Sequence, residues 1–181
     1  MAGLGQTGEG PAGIPVVSIV GKSDAGKTTL LEKLVGEAKR RNWRVAAVKH
    51  DVHGFEMDRP GKDTWRFAQA GADTVVISSP KKIAILEAVR EEQDLDAVVA
   101  RIRGVDLILT EGYKHGNKPK IEVFRAAVHK ELLCAPEELI AIATDAAFNL
   151  GVPCYDLDDA AGLCDLIAAK FGVQGSGQDP V

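Results

Sequence analysis

The residues best equipped for chemistry stand together early in the chain: Gly21, Lys22, Ser23, Asp24, Ala25, Gly26, Lys27 and Thr28. They match the phosphate-binding pattern G-x-x-x-x-G-K-[ST] at every defined position. In such a loop the main-chain N–H groups and the start of the next helix converge on phosphate oxygens. Lys27 would reach the β- and γ-phosphates, the Thr28 hydroxyl would ligate Mg²⁺, and Thr29 carries the cradle into the helix. Gly21 and Gly26 leave room for close backbone approach. An ordinary turn is the bland alternative, but average residue usage puts a chance match below about one in a hundred for a chain this long.

A second candidate is Glu111, which closes the apolar run Val105-Asp106-Leu107-Ile108-Leu109-Thr110. After a phosphate loop, a strand of this kind sets a carboxylate beside Mg²⁺ and the attacking water. The usual acid is Asp. A glutamate there could bind the metal, hold a metal-bound water or orient the attacking water. Alone, one acid after one strand reads as a solvated strand end; the upstream loop reverses that preference. Asp106, at the other end of the strand, is the weaker candidate.

Thr144 and Asp145 follow the apolar run Leu139 to Ala143. An Asp carboxylate at the end of a late strand can accept from guanine N1–H and the 2-amino group, which adenine does not match. A plain strand-end turn acid is the alternative. His50 and His53 form an H-x-x-H pair, yet no cysteine cluster or third fixed ligand accompanies them, which weakens a zinc reading. A phosphate or bound-substrate contact suits His50 better, and solvent exposure suits His53. Asp58, Arg59, Lys62 and Asp63, with Lys114, His115, Lys118 and Lys120, offer charge for an anionic substrate or a partner enzyme. They read equally well as a solvated, cationic rim.

The elements that must position these residues alternate between strand and helix. Ile14 to Val20 is a buried strand, and Leu30, Leu31, Leu34, Val35 and Ala38 share one helical face. Strands are expected at Arg44–Lys49, Asp73–Ser78, Lys82–Leu86, Val105–Glu111, Lys120–Arg125 and Leu139–Ala143. Helices are expected at Thr64–Ala70, Glu91–Arg103 and up to about Lys170, with Asp63 capping the first and an acid of the 156–159 stretch capping the last. Gly71 would stop the helix before it. The strand at Lys120 is expected to expose one face and, with the pair around Ser79-Pro80-Lys81, to add antiparallel character. The fold class is α/β: a three-layer P-loop sandwich on a mostly parallel sheet with an antiparallel extension.

Composition narrows the partners. The chain has 181 residues, 45% hydrophobic and 27% charged, an ordinary globular balance with length for a sizeable core. A net charge of −4 excludes a broadly basic nucleic-acid binder. Cys134, Cys154 and Cys164 are few, odd in number and far apart, which suits a reducing cytoplasm. No apolar run approaches the roughly 18 residues of a membrane span. Residues 1–13 read as a flexible leader, 14–171 as the nucleotide-binding domain and 172–181 as a flexible tail.

Three stretches together resemble one family. They are Gly21 to Thr29; Lys49-His50 through Asp58-Arg59-Pro60-Gly61-Lys62-Asp63-Thr64 to Ala70-Gly71-Ala72; and Thr110-Glu111-Gly112-Tyr113-Lys114 through Pro119-Lys120-Ile121-Glu122-Val123. The likeness is to the MobB family of molybdopterin-guanine dinucleotide biosynthesis adaptor proteins and covers about residues 14 to 170. The phosphate loop is generic; the second and third stretches carry the specificity. The resemblance implies a GTP- and Mg²⁺-binding homodimer with weak GTPase activity, which assists the guanylyltransferase that joins GMP to molybdopterin. It implies Lys27, Glu111 and Asp51 at the reacting end, with Thr28, Glu111 and Asp51 around the metal. Asp51 enters because related switch proteins place an acid just past the second strand. Among those, the MinD group carries a lysine after the first loop glycine that reaches across a dimer. Lys22 occupies that place here, and a solvated loop cation is the other reading.

Two rivals remain at this stage. A small-molecule kinase would use the same loop, with Asp51 as base and the acceptor on the His50 to Lys62 stretch. A metal-trafficking GTPase would need a cysteine and histidine cluster that the sequence lacks.

Overall fold

Alternation within the central strands decides the architecture. The computed structural model describes residue 10 and residues 13–175. Six strands form one sheet: β1 (Val16–Val20), β2 (Val45–Lys49), β5 (Leu107–Glu111), β6 (Lys120–Phe124), β7 (Leu139–Thr144) and β8 (Cys154–Tyr155), in the order β2-β5-β1-β6-β7-β8. Every pairing in it is parallel. The strand that carries the phosphate loop is therefore central, with β5 on one side and β6 on the other.

Side chains alternate across that sheet. Val17 and Ile19, Leu107 and Leu109, Ile121 and Val123 meet Leu30, Leu34 and Ala38 of helix α1 (Lys27–Arg40) and Leu163, Cys164 and Ile167 of helix α4 (Ala160–Phe171). On the opposite face Val16 and Ile108 pack against Leu95 and Val99 of the short helix α3 (Leu95–Val99), while Val20, Phe124 and Ile142 pack against Cys134 and Leu139. A register shift after Lys120 leaves Ile140 as an extra residue in β7, so Ile140 and Ala141 both join the α1–α4 side. These are the three layers expected.

By internal contacts the chain divides into two units, one of residues up to His50 and from Leu95 onward, the other of Asp51–Asp94. The second unit holds helix α2 (Asp63–Gln69) and the antiparallel strands β3 (Thr74–Ser79) and β4 (Lys82–Glu87), joined by the two residues Pro80 and Lys81. The antiparallel extension thus forms its own two-stranded sheet. Val75 is the only buried residue on these two strands; Val76, Ile77, Ile83 and Ile85 are all exposed.

Several expectations need correction. Strand β6 is parallel to both neighbours, and it exposes neither face. Its polar residues are buried and paired: Leu133 and Cys134 donate main-chain N–H groups to the Glu122 carboxylate at 2.6 and 2.9 Å, and Lys120 Nζ donates to Glu138. Lys118, likewise buried, pairs with Asp96 at 2.8 Å, so neither lysine belongs to a solvated rim. Helix α3 is shorter than the expected Glu91–Arg103, because only Leu95 and Val99 bury and Arg103 folds back onto the Ala100 and Ile102 carbonyls. Asp63 is the first residue of α2, and Lys62 precedes it without a side-chain cap. Asp159 does cap α4, accepting from Gly162 N at 2.8 Å. Most of the expected leader and tail lies outside the described residues.

Candidate functional site

The phosphate loop bridges β1 and α1, and its backbone takes the shape its residue types allow. Gly21 has φ +147°, Asp24 +62° and Gly26 +100°. Gly21 answers to a neighbouring strand as well as to phosphate: a Cβ there would sit 2.6 Å from the Val123 carbonyl of β6. Helix α1 begins at Lys27 without any side-chain cap, so its first N–H groups face the loop unshielded. The start of α4 differs, its turn being closed by Asp159. An uncapped helix start inside a glycine loop is an anion cradle.

Two side chains complete the centre of the site. Lys27 Nζ donates to the Lys22 carbonyl at 2.9 Å, which curls the ammonium back over the loop. Thr28 Oγ1 donates to Glu111 Oε2 at 2.9 Å, across 83 positions of sequence. The parallel register of β1 and β5, with Ile19 opposite Glu111, brings the two ends together. A hydroxyl on a carboxylate at this spot is the donor set a hard, oxygen-loving cation uses alongside a nucleotide. Lys49, at the end of β2, lies 3.9 Å from Glu111 Oε1 and was missed in the sequence. Its position at the carboxyl end of a parallel strand was the available signal.

The remaining candidates distribute as follows. Lys22 Nζ sits 3.7 Å from Glu131, half in solvent. Ser23 and Asp24 are exposed on the loop, Ala25 is buried beneath it, and Thr29 is exposed on the first turn of α1. Asp145 Oδ1 accepts from Ala126 N at 2.8 Å, which ties the end of β7 to the end of β6 and leaves the other carboxylate oxygen for a further donor. Thr144 Oγ1 accepts from Ala146 N at 2.9 Å and shapes the turn. Asp106 stands at the far end of β5, where Arg44 holds it at 2.7 Å in a structural pair. Asp51 opens the second unit, and its Oδ1 accepts from His53 N at 2.9 Å. His53 is exposed. His50 stacks on Tyr113 with ring centroids 4.5 Å apart, and Gly112 permits the approach, since a Cβ there would meet His50 Cβ at 3.1 Å. Among the described residues no group of three or more His, Cys, Asp or Glu is placed to hold a metal ion.

Sequence reasoning also passed over Arg125. It follows β6 directly, and its Nη2 lies 3.6 Å from the place a Gly26 Cβ would occupy.

The family model described as molybdopterin guanine dinucleotide synthesis protein B (MobB) matches residues 16–145, from β1 to Asp145. The chain belongs to the MobB family. A molybdopterin-guanine dinucleotide biosynthesis adapter protein of Escherichia coli is 36% identical over 160 residues, covering 85% of this chain and 91% of the relative. The Haemophilus influenzae adapter is 34% identical, with 85% and 88% covered. A crystal structure of molybdopterin-guanine biosynthesis protein B superposes with a TM-score of 0.68 at 31% identity, over 87% of this chain and 99% of that one. Bacillus subtilis MobB gives 0.70 at 26% identity, over 87% and 98%. Membership places the chain in molybdopterin guanine dinucleotide biosynthesis.

Proposed function

We propose that this MobB protein is a GTP-dependent adapter: it binds GTP with Mg²⁺ on Gly21 to Thr29, hydrolyses it slowly, and assists the guanylyltransferase that attaches GMP to molybdopterin. The observation that carries the proposal is the Thr28–Glu111 contact at 2.9 Å, beside an uncapped helix start. Magnesium, when bound, neutralises charge developing on the phosphate oxygens. Thr28 and Glu111 would hold it. Lys27 would exchange the Lys22 carbonyl for phosphate oxygens, a stronger, charge-assisted partner. Asp145 would select guanine through its remaining acceptor capacity, beside the Thr144 turn.

The protein would act as a homodimer. A two-stranded sheet is marginal by itself, and the exposed Val76, Ile83 and Ile85, which share one face of it, give the second unit an apolar surface that a second copy would cover. The cytoplasm is the proposed compartment. All three cysteines are free, and among the described residues no helix is long and apolar enough to cross a membrane.

The test is a titration of the full chain with GTP and with ATP, repeated with purified guanylyltransferase and molybdopterin. Preferred GTP binding, slow hydrolysis without a second product and a complex with the transferase are expected. Tight ATP binding with none for GTP would remove the guanine assignment. Release of diphosphate only on addition of a small-molecule acceptor would put a kinase in the adapter's place.

A further inference from the structure

We propose that Arg125 is a second fixed cation of the phosphate cradle, gripping the α- and β-phosphates of the bound nucleotide in the ground state. The inference rests on the GTP reading above and adds to it a residue outside the phosphate-loop motif.

The position is built rather than incidental. The Arg125 carbonyl accepts from Val128 N and His129 N, both at 3.0 Å, which turns the chain sharply after β6. The next N–H, that of Ala126, is held by Asp145 at 2.8 Å. Arg125 is thus fixed at a strand end between the loop and the candidate base-reading acid. Its guanidinium lies over Gly26, where a Cβ would be 3.6 Å from Nη2.

The guanidinium is half-buried and, among the described residues, makes no hydrogen bond or ion pair. It is near enough to Asp158 to help hold that carboxylate below its usual range, although Lys33 is the main cause. A planar fork with five donors and no acceptor suits a phosphate oxygen pair.

Place in the loop decides which phosphates. The loop backbone, of which Gly26 is part, cradles the α- and β-phosphates, and Lys27 extends to the β and γ. Arg125 therefore acts on a group that GDP and GTP share. This separates it from an arginine finger, which stabilises charge only as the γ-phosphoryl transfers.

The experiment compares GDP, GTP and guanosine binding to the full-length wild type and its Arg125→Ala, Arg125→Gln, Arg125→Lys and Lys27→Ala variants. Unfolding midpoints without ligand are measured alongside. Arg125→Ala is expected to weaken GDP and GTP by the same factor, roughly 10- to 100-fold for a charge-assisted contact. Guanosine affinity should not change, Arg125→Lys should recover part of the loss, and single-turnover hydrolysis at saturating GTP should fall by a smaller factor than the affinity does. If Arg125→Ala unfolds, Arg125→Gln is read in its place. Wild-type affinity in the Arg125 variants, with Lys27→Ala inactive, overturns the role of Arg125 and leaves the GTP site standing. Unchanged affinity with a collapsed hydrolysis rate overturns it in favour of a finger. No nucleotide binding by the wild type removes the GTP reading, and this inference with it.

Discussion

The two units treat their apolar residues in opposite ways. In the first, β1, β6 and β7 are buried at every position, and β5 at all but its last, Glu111. In the second, strands of similar apolar content leave Val76, Ile77, Ile83 and Ile85 more than half exposed, and α2 buries nothing. The first unit has completed its core, and its strand ends carry the candidate site. The second has an exposed apolar surface of the kind that marks interaction sites. The proposed adapter would use both: a rigid scaffold for the nucleotide and a surface for association.

That contrast can be broken most forcefully at Lys27. Lys27→Ala should lower GTP affinity more than 100-fold by titration, with an unfolding midpoint close to wild type, because the Lys27 ammonium donates to a carbonyl of its own loop. If affinity holds, the first unit is a scaffold without a phosphate site.

Next comes a pair of glycine substitutions. Gly21→Ala brings a Cβ to 2.6 Å from the Val123 carbonyl at φ +147°, and should cost several kcal/mol in urea unfolding. Gly61→Ala, at φ +85° with nothing within 4 Å, meets only the backbone penalty of about 1–2 kcal/mol. Equal losses would mean the two units are packed alike.

Charging the second unit tests its role. Ile83→Asp with Ile85→Asp should shift the mass seen by light scattering from dimer to monomer, and leave GTP affinity within about threefold. A monomeric wild type, or lost nucleotide binding in the variant, would contradict the division of labour.

A gentler probe uses pH. Lys120 holds the Glu138 carboxyl below its ordinary range. A depressed acid contributes stability above its unfolded pKa and loses it as pH falls through the folded value. Glu138→Gln should therefore flatten the acid limb of the stability profile below about pH 4.5. At neutral pH it should destabilise by about 1–3 kcal/mol, less than a fully buried pair because Glu138 is partly in solvent. The smallest effect concerns the thiols. Burial pushes Cys134 and Cys164 each up to about 11, so at pH 8 a thiol reagent should label only the exposed Cys154 until the chain unfolds.

Much of the fold and part of the site can be read along the chain, for reasons visible in particular residues. Gly21 to Thr28 is a local pattern, and Glu111 ends a local apolar run, so both are legible without knowing what they touch. Arg125 and Lys49 are not, because their place beside the loop and Glu111 depends on which strands lie next to β1 and β5. Strand β6 misleads for the same reason. Lys120 and Glu122 alternate with apolar residues and so suggest a wet face, but segments distant in sequence cover them. Helix α3 falls short of its periodic pattern because only two residues of it find a core. The apolar hairpin is legible as a hairpin, while its lack of cover is not.

The charges inside β6 have one more consequence. Slipping that strand by a single residue would swing Lys120 and Glu122 from their partners into the hydrocarbon packed beneath α1 and α4. Two unpaired ions there would be intolerable to the folded state. They work as a ratchet pawl, letting the strand engage its neighbours in one alignment alone. The loop at Gly21, closed against the Val123 carbonyl, inherits its position from that alignment.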